Sequence, residues 1–297
     1  MQLNLDAMLR EGLHPLNGYL RIDEALTGAA ADLEAVSDSA RLDAELLLAL
    51  ALDVPRSYLF AHPDDTMDPA AAARFHSSVD RRIAGVPLAY LSGEKEFWSM
   101  PLMVSPDTLV PRPETELLVD QALQRIPRRA IRRILDLGTG SGCVALAIAR
   151  ERPACELVAT DLSAAALAVA RANARQLGIP NIEFLAGNWT EPVVGREFDL
   201  VVSNPPYVAT GDPHLDTLCH EPRSALEAGP DGLDAIRRIA ACAADVLVPN
   251  GALLFEHGAA QADAAMEILA REGWQEVHNV RDMSGLPRVT VAQKSAW

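Results

Sequence analysis

The chain has 297 residues, 49% apolar and 23% charged, with a formal net charge of −15. This composition and a mean hydropathy of +0.06 describe an ordinary globular protein, long enough for one large domain plus a small one. No run approaches the roughly eighteen consecutive apolar residues of a membrane span, and the acidic balance disfavours nonspecific grip on a phosphate backbone, one local basic face aside.

Met1-Gln2-Leu3-Asn4-Leu5-Asp6 carries neither a basic n-region nor an apolar h-region, so no signal peptide is expected. Cys143, Cys155, Cys219 and Cys242 are widely spaced with no C-x-x-C pair. That usage fits reduced thiols and predicts a soluble, cytoplasmic enzyme.

The first 85 residues read as a small helical domain. Leu42, Leu46, Ala49 and Leu50 recur at helical spacing, with Asp38 as the expected N-cap and Pro55 beyond the end. Asp68-Pro69 opens another helix, whose Ala72, Phe75, Val79 and Ile83 share one face before Gly85 stops it. Without a glycine loop and with few catalytic groups, this block reads as a bundle that supports or recruits.

Residues 86–113 change character and read as a hairpin linker. Pro87 to Leu91 and Glu94 to Trp98 predict a hairpin around Ser92-Gly93, followed by the proline-punctuated Ser105-Pro106 and Val110-Pro111-Arg112-Pro113. This segment is expected to lay Phe97 or Trp98 against the next domain.

From residue 114 to 297 strands and helices alternate. Strands are expected over 134–137, 156–160, 182–186, 199–203, 252–256, 276–280 and 289–292. Helices are expected over 115–125, 143–150, 163–177, 233–247 and 261–271. The alternation predicts an α/β fold, a mostly parallel, doubly wound sheet.

Within this half, Asp136-Leu137-Gly138-Thr139-Gly140-Ser141-Gly142 follows a strand and precedes a helix. Glycines there let backbone N–H groups approach a ligand without interference from Cβ. It is not the dinucleotide fingerprint, because Cys143 stands where a third spaced glycine would fall. The next strand ends in Asp161, placed to accept both ribose hydroxyls of a nucleoside; alone, it could equally cap the helix near Ser163. Gly187-Asn188-Trp189 offers a polar residue and a flat ring to an adenine, although most tryptophans are core anchors.

The most telling stretch is Asn204-Pro205-Pro206-Tyr207, which stops the apolar run from Phe198 to Ser203 with two prolines. A rigid strand end bearing a side-chain carbonyl, a backbone carbonyl and an aromatic ring suits a planar –NH2 group. An amide nitrogen is a poor nucleophile, so such a site must fix it in line with the donor carbon. Asn204 Oδ1 and the Pro205 carbonyl can each accept one N–H, which supplies orientation and electrostatic preorganisation without a strong base. Together with the glycine turn, this stretch suggests group transfer from a nucleoside cofactor to an amide- or amine-like nitrogen.

These motifs, with Pro87 to Phe97, Leu109 to Glu116, Glu221-Pro-Arg-Ser-Ala-Leu226 and Asp231-Gly232-Leu233, resemble the release factor glutamine methyltransferases (the PrmC or HemK family) over nearly the whole chain. The family lies among class I S-adenosylmethionine-dependent methyltransferases, so the resemblance implies a seven-stranded, Rossmann-like domain and S-adenosyl-L-methionine as cofactor. It places Gly138, Thr139, Gly140, Ser141, Gly142, Asp161, Asn188, Trp189 and Asn204 against the cofactor, and Phe97 from the linker is grouped with them. Asn204, Pro205, Pro206 and Tyr207 would hold the substrate glutamine, with Asn204, Pro205 and Tyr207 as the catalytic set. The implied reaction is methylation of the glutamine N5 in the Gly-Gly-Gln loop of class I peptide chain release factors, gripped by the helical domain and by residues 208–222. One departure is Asn188, where the family pattern has an acid; asparagine keeps an acceptor oxygen and loses the charge.

Asn-Pro-Pro-Tyr alone is also shared with methyltransferases of adenine N6 and of other protein glutamines, so a ribosomal-protein glutamine or a nucleic-acid adenine is the alternative acceptor. The acidic charge and the lack of an evident target-recognition domain argue against nucleic acid. A catalytically idle binding module is the other alternative, opposed by the intact Asn204 and Tyr207. Arg125, Arg128, Arg129, Arg132 and Arg133 read as a solvated helix end rather than a partner patch. Arg112 and Glu114 could equally shape the pocket or make a structural ion pair. The seven histidines show no ligand spacing, and no metal is expected.

Overall fold

Asp68 starts its helix as its sequence position predicts. Its Oδ1 accepts the N–H groups of Ala70 and Ala71 at 2.8 and 3.0 Å, and Pro69 stands in the first turn, where its missing N–H costs nothing. The computed structural model describes residues 20–296, and the chain divides after Ser92 into two compact units, within the stretch read as a linker.

The first unit holds helices α1 (Ile22–Leu33), α2 (Ala40–Leu52), α3 (Arg56–Ala61), α4 (Pro69–Ile83) and α5 (Leu88–Ser92). Its core gathers Leu26, Leu33, Leu47, Leu48, Leu59 and Phe75. The expected apolar stripe of α2 is corrected: Leu42, Leu46 and Leu50 are 39%, 38% and 46% exposed, while Ala44, Leu47, Leu48 and Ala51 are buried. A helix apolar on most sides offers two candidate stripes, and packing against α1 selects the one with the small residues. On α4, Phe75 and Val79 are buried as expected, whereas Ile83 is exposed and Ala71 takes the core position. The cap of α2 is Ser39 rather than Asp38. Arg82 bonds the buried Asp43 at 2.9 Å, which satisfies a carboxylate that would otherwise be costly to bury.

The hairpin also differs from expectation. Residues 88–92 are helical, and the two strands are β1 (Glu94–Phe97) and β2 (Met100–Met103). They turn at Trp98-Ser99, both with positive φ. Neither is glycine; the strained turn is held because Glu116 Oε1 accepts the Trp98 N–H and Glu96 Oε1 the Ser99 N–H, each at 2.8 Å.

The expected strands all form, as β3 (Arg133–Leu137), β4 (Glu156–Asp161), β5 (Ile182–Ala186), β6 (Phe198–Ser203), β7 (Leu247–Glu256), β8 (Gln275–Arg281) and β9 (Pro287–Gln293). The sheet order is β5-β4-β3-β6-β7-β9-β8. The pairs from β5 to β7 are parallel, and β9 runs antiparallel to both neighbours. Helices α6 (Glu116–Arg125), α7 (Cys143–Glu151), α8 (Ala164–Leu177), α10 (Asp234–Val246) and α11 (Ala262–Arg271) connect the strands, with a short α9 (His214–Thr217) after β6.

Because successive strand residues point to opposite faces, the sheet feeds two cores. Ile134, Leu200, Val202 and Leu254 pack on one side, and Leu135, Val201, Leu253 and Phe255 on the other. Each such side chain contributes roughly 1.5–3 kcal/mol on burial. Chain order reverses between β3 and β6, the switch point where doubly wound sheets open a crevice at the carboxyl ends of their strands. Among the described residues no helix is long and apolar enough to cross a membrane.

Candidate active site

The glycine turn leaves the end of β3 and Asn204 leaves the end of β6. Those strands pair directly, Leu137 opposite Ser203, and the Ser203 hydroxyl donates to the Leu137 carbonyl at 2.7 Å. Two motifs far apart in sequence thus meet over one cavity of about 260 Å³.

Gly138, Gly140 and Gly142 have φ of 72°, 55° and 85°, the left-handed region that favours glycine. A Cβ on Gly142 would stand 3.0 Å from Leu146 and 3.2 Å from Ala170, so the turn needs glycine for space as well. Asn173, fully buried, steadies it from below: its amide NH2 donates to the carbonyls of Ser141 (2.9 Å) and Met103 (3.0 Å), and its oxygen accepts the Met103 N–H at 2.7 Å. Asp161 Oδ2 accepts the Gly140 N–H and its Oδ1 the Ser163 N–H, both at 2.8 Å. The helix cap itself is Ser163, whose hydroxyl accepts the Ala166 N–H. Asp161 therefore holds the glycine turn while facing the cavity, and each of its oxygens keeps capacity for a further donor.

Gly138, Thr139, Gly140, Ser141, Asp161, Asn188, Trp189, Asn204 and Pro206 all line the cavity. Trp189 is a core anchor that also stands on the cavity wall. It comes within 3.8 Å of a Cβ built on Gly138, while its carbonyl accepts from Thr160 at 3.0 Å. The Asn188 amide donates to Glu191 at 3.0 Å.

Four expected residues lie outside the lining, and the first is Gly142, which faces Leu146 and Ala170 rather than the cavity. Phe97 is 1% exposed in the hydrophobic core with Met100 and Leu102 and does not line the cavity; the hairpin turns at residues 98–99, which sends residue 97 inward. Pro205 is buried and outside the lining. Tyr207 is turned to Glu256, its hydroxyl donating to Oε1 at 3.2 Å. Burial, with the Glu256 charge beside it, raises the Tyr207 phenol, so it stays neutral.

Asn204 carries the decisive geometry. Its Nδ2 donates to Thr115 Oγ1 at 3.0 Å, while its Oδ1 is buried without a hydrogen-bond partner among the described residues. An orphaned acceptor on a cavity wall costs about 1–3 kcal/mol unless a ligand donates to it. Two buried carboxyls flank the site, and sequence reading assigned neither a role of its own. Asp136 is pushed up to about 7 by burial, against the hydrogen bond from Thr139 and with the charge of Asp161 adding to the rise. Glu256 is also pushed up to about 7 by burial, opposed first by Thr115 and then by Tyr207. The Thr115 contact is the looser, since Glu256 Oε2 closes no full hydrogen bond. Glu256 ends an apolar run and Asp136 stands one residue before the end of another, both at the carboxyl edge of the sheet, the signal that could have found them. Cys143 lines the same cavity, but burial pushes its thiol up to about 12, far from a thiolate.

A strap over residues 107–111 and the segment 222–225 close the cavity's rim. Glu221 ties them: it accepts the Val110 N–H at 2.9 Å and pairs with Arg112. Arg112 is thus a structural partner. Arg132 and Arg133 both engage Asp199. Among the described residues no group of three His, Cys, Asp or Glu is arranged to hold a metal ion.

Residues 24–93 match the PrmC N-terminal domain and residues 113–266 the methyltransferase small domain. The release factor glutamine methyltransferase of Coxiella burnetii is 46% identical over 93% of this chain and 99% of its own length. The chain belongs to the release factor glutamine methyltransferase family. The Xylella fastidiosa (strain Temecula1 / ATCC 700964) member is 49% identical over 85% of this chain and 93% of its own. A methyltransferase from Pyrococcus furiosus shares the fold, with a TM-score of 0.53 at 20% identity over 73% of this chain and 99% of its own. The doubly wound sheet, the enzyme class and the family resemblance read from the motifs are all borne out.

Proposed function

We propose that this chain transfers a methyl group from S-adenosylmethionine to the side-chain nitrogen of the glutamine in the Gly-Gly-Gln loop of class I peptide chain release factors. The observation that carries this reading is the buried, unpartnered Asn204 Oδ1, on a wall shared with the glycine turn and Asp161. A cofactor fits these residues by their chemistry: glycines free of Cβ for a close backbone approach, an acid with spare acceptor capacity for ribose hydroxyls, and an indole for a base. When bound, it would supply an electrophilic methyl carbon.

The chain's own part is orientation. Asn204 Oδ1, on the cavity wall, accepts one N–H bond of the substrate amide, and the other is assigned to the carbonyl of Pro205, next in the chain though outside the lining, so the nitrogen lone pair is turned to the methyl carbon. As the N–CH3 bond forms at the expense of the donor's S–CH3 bond, positive charge builds on nitrogen, and the same two oxygens stabilise it. The proton is then lost to solvent, because an amide bearing both the methyl group and a positive charge on nitrogen is strongly acidic. No base is required before transfer, consistent with the neutral Tyr207.

The test is mass spectrometry of a release factor incubated with the enzyme and cofactor. A gain of one methyl on the loop glutamine supports the reading. An unmodified release factor beside a methylated ribosomal protein or DNA overturns it in favour of that acceptor.

A further inference from the structure

We propose that Thr115 is a positioning residue, with Glu256 behind it: the Thr115 hydroxyl oxygen holds the Asn204 amide so that its oxygen, not its NH2, faces the reacting amide. The inference rests on the reaction proposed above.

The argument is one of hydrogen-bond polarity. A carboxamide presents an acceptor on one side and two donors on the other, with nearly the same shape. A flipped Asn204 would set its own NH2 against a substrate NH2, two donors facing each other, and no transfer geometry would form. Only its neighbours decide which end is presented. Thr115 has a single hydroxyl proton and is 1% exposed, so no water competes for it. Thr115 Oγ1 is the acceptor in the bond that is formed, taking Asn204 Nδ2 at 3.0 Å, and the buried Glu256 carboxyl beside it, whose Oε2 has no partner among the described residues, favours the Thr115 proton pointing that way. Oδ1 is thereby left for the substrate. Glu256, 1% exposed, receives the Tyr207 hydroxyl at 3.2 Å, so the acid behind Thr115 also anchors the far end of the Asn-Pro-Pro-Tyr turn. Its place is set by topology: β7 pairs with β6 so that Phe255 stands opposite Ser203, which brings residue 256 level with residue 204.

The test uses the full-length protein with Thr115→Val, which keeps the shape and removes the hydroxyl, and Thr115→Ser, which keeps the hydroxyl. Nitrogen-15 NMR follows solvent exchange of the Asn204 side-chain NH2, assigned by its loss in Asn204→Asp. Exchange should be about tenfold faster in the valine variant, the factor for one lost hydrogen bond, and close to wild type in the serine variant. Turnover on release factor should fall about 100-fold in the valine variant from misorientation alone, with affinity for S-adenosylhomocysteine unchanged and activity largely restored in the serine variant. A release factor with glutamate replacing the loop glutamine should also be better tolerated as a ligand by the valine variant, because a freed Asn204 can turn its NH2 to a carboxylate.

Unchanged exchange and turnover in Thr115→Val, or a serine variant as impaired as valine, overturns the proposal. If wild-type protein leaves release factor unmethylated, the reaction assigned above falls instead, and the exchange rates alone decide the orientation.

Discussion

The carboxylate of Glu221 accepts the backbone N–H of Val110 at 2.9 Å across more than a hundred residues of sequence, and its other oxygen pairs with Arg112. Glu221 is 4% exposed, so both partners are needed to offset its desolvation. Glu221→Ala leaves a buried N–H unpaired and should cost about 3 kcal/mol, read by urea unfolding. Because the strap and residues 222–225 line the cavity together, cofactor affinity should fall about tenfold by isothermal titration. Glu221→Ala with wild-type affinity would show that the strap does not depend on this tie.

Asn204→Ala should lower turnover on release factor by at least about 100-fold with cofactor affinity largely retained, because the lost contacts orient the acceptor. Titration of S-adenosylhomocysteine beside single-turnover methylation separates the two effects. Equal loss in both would remove Asn204 from the acceptor site.

Asp161→Ala should act the other way, weakening cofactor binding by about 100-fold, two ribose hydrogen bonds at roughly 1.5 kcal/mol each. It also removes the acceptor for Gly140 and Ser163, so a lower melting temperature should accompany it. Unchanged affinity would withdraw the ribose assignment.

The pH dependence follows from Glu256, which faces Thr115 and Tyr207 as donors, with Arg288 lowering and Glu114 raising its pKa, and is pushed up to about 7 by burial. Its ionised form is the stronger acceptor, for the Tyr207 hydroxyl that it already holds and for a Thr115 proton turned to its free Oε2, so turnover should rise with pH through about 7. Glu256→Gln, whose amide can donate to Thr115 and reverse the chain, should be slow and flat across that range. Stability runs the opposite way. The folded value lies above the ordinary 4.5, so the stabilisation from the protonated acid is full below 4.5 and is lost as pH rises through about 7. The difference amounts to roughly 3 kcal/mol at most. Urea unfolding of both proteins at pH 5 and pH 8 reads it as a smaller decline in Glu256→Gln; equal declines would refute it. Asp136, also pushed up to about 7, contributes its own decline to both proteins and cancels in the comparison.

The sheet was legible because its strands are short apolar runs punctuated by glycine, proline and asparagine, and because two glycine- and proline-marked turns fall at carboxyl ends of strands. What escaped depends on distant partners. The Trp98-Ser99 turn is stabilised by carboxylates at positions 96 and 116, so its positive φ has no local signature. The outward face of α2 is decided by packing, since leucines stand on both sides of that helix. Phe97 follows from the turn, and Thr115 and Glu256 gain meaning only when strand register sets them beside Asn204.

Asn173 joins the second strand of the hairpin to the last residues of the glycine turn through one fully buried amide. The hairpin and the floor of the cavity are therefore tied to each other by three hydrogen bonds of one side chain. An opening of the cleft is expected to begin in its rim, the strap of residues 107–111 and the segment that Glu221 ties it to, rather than in the floor.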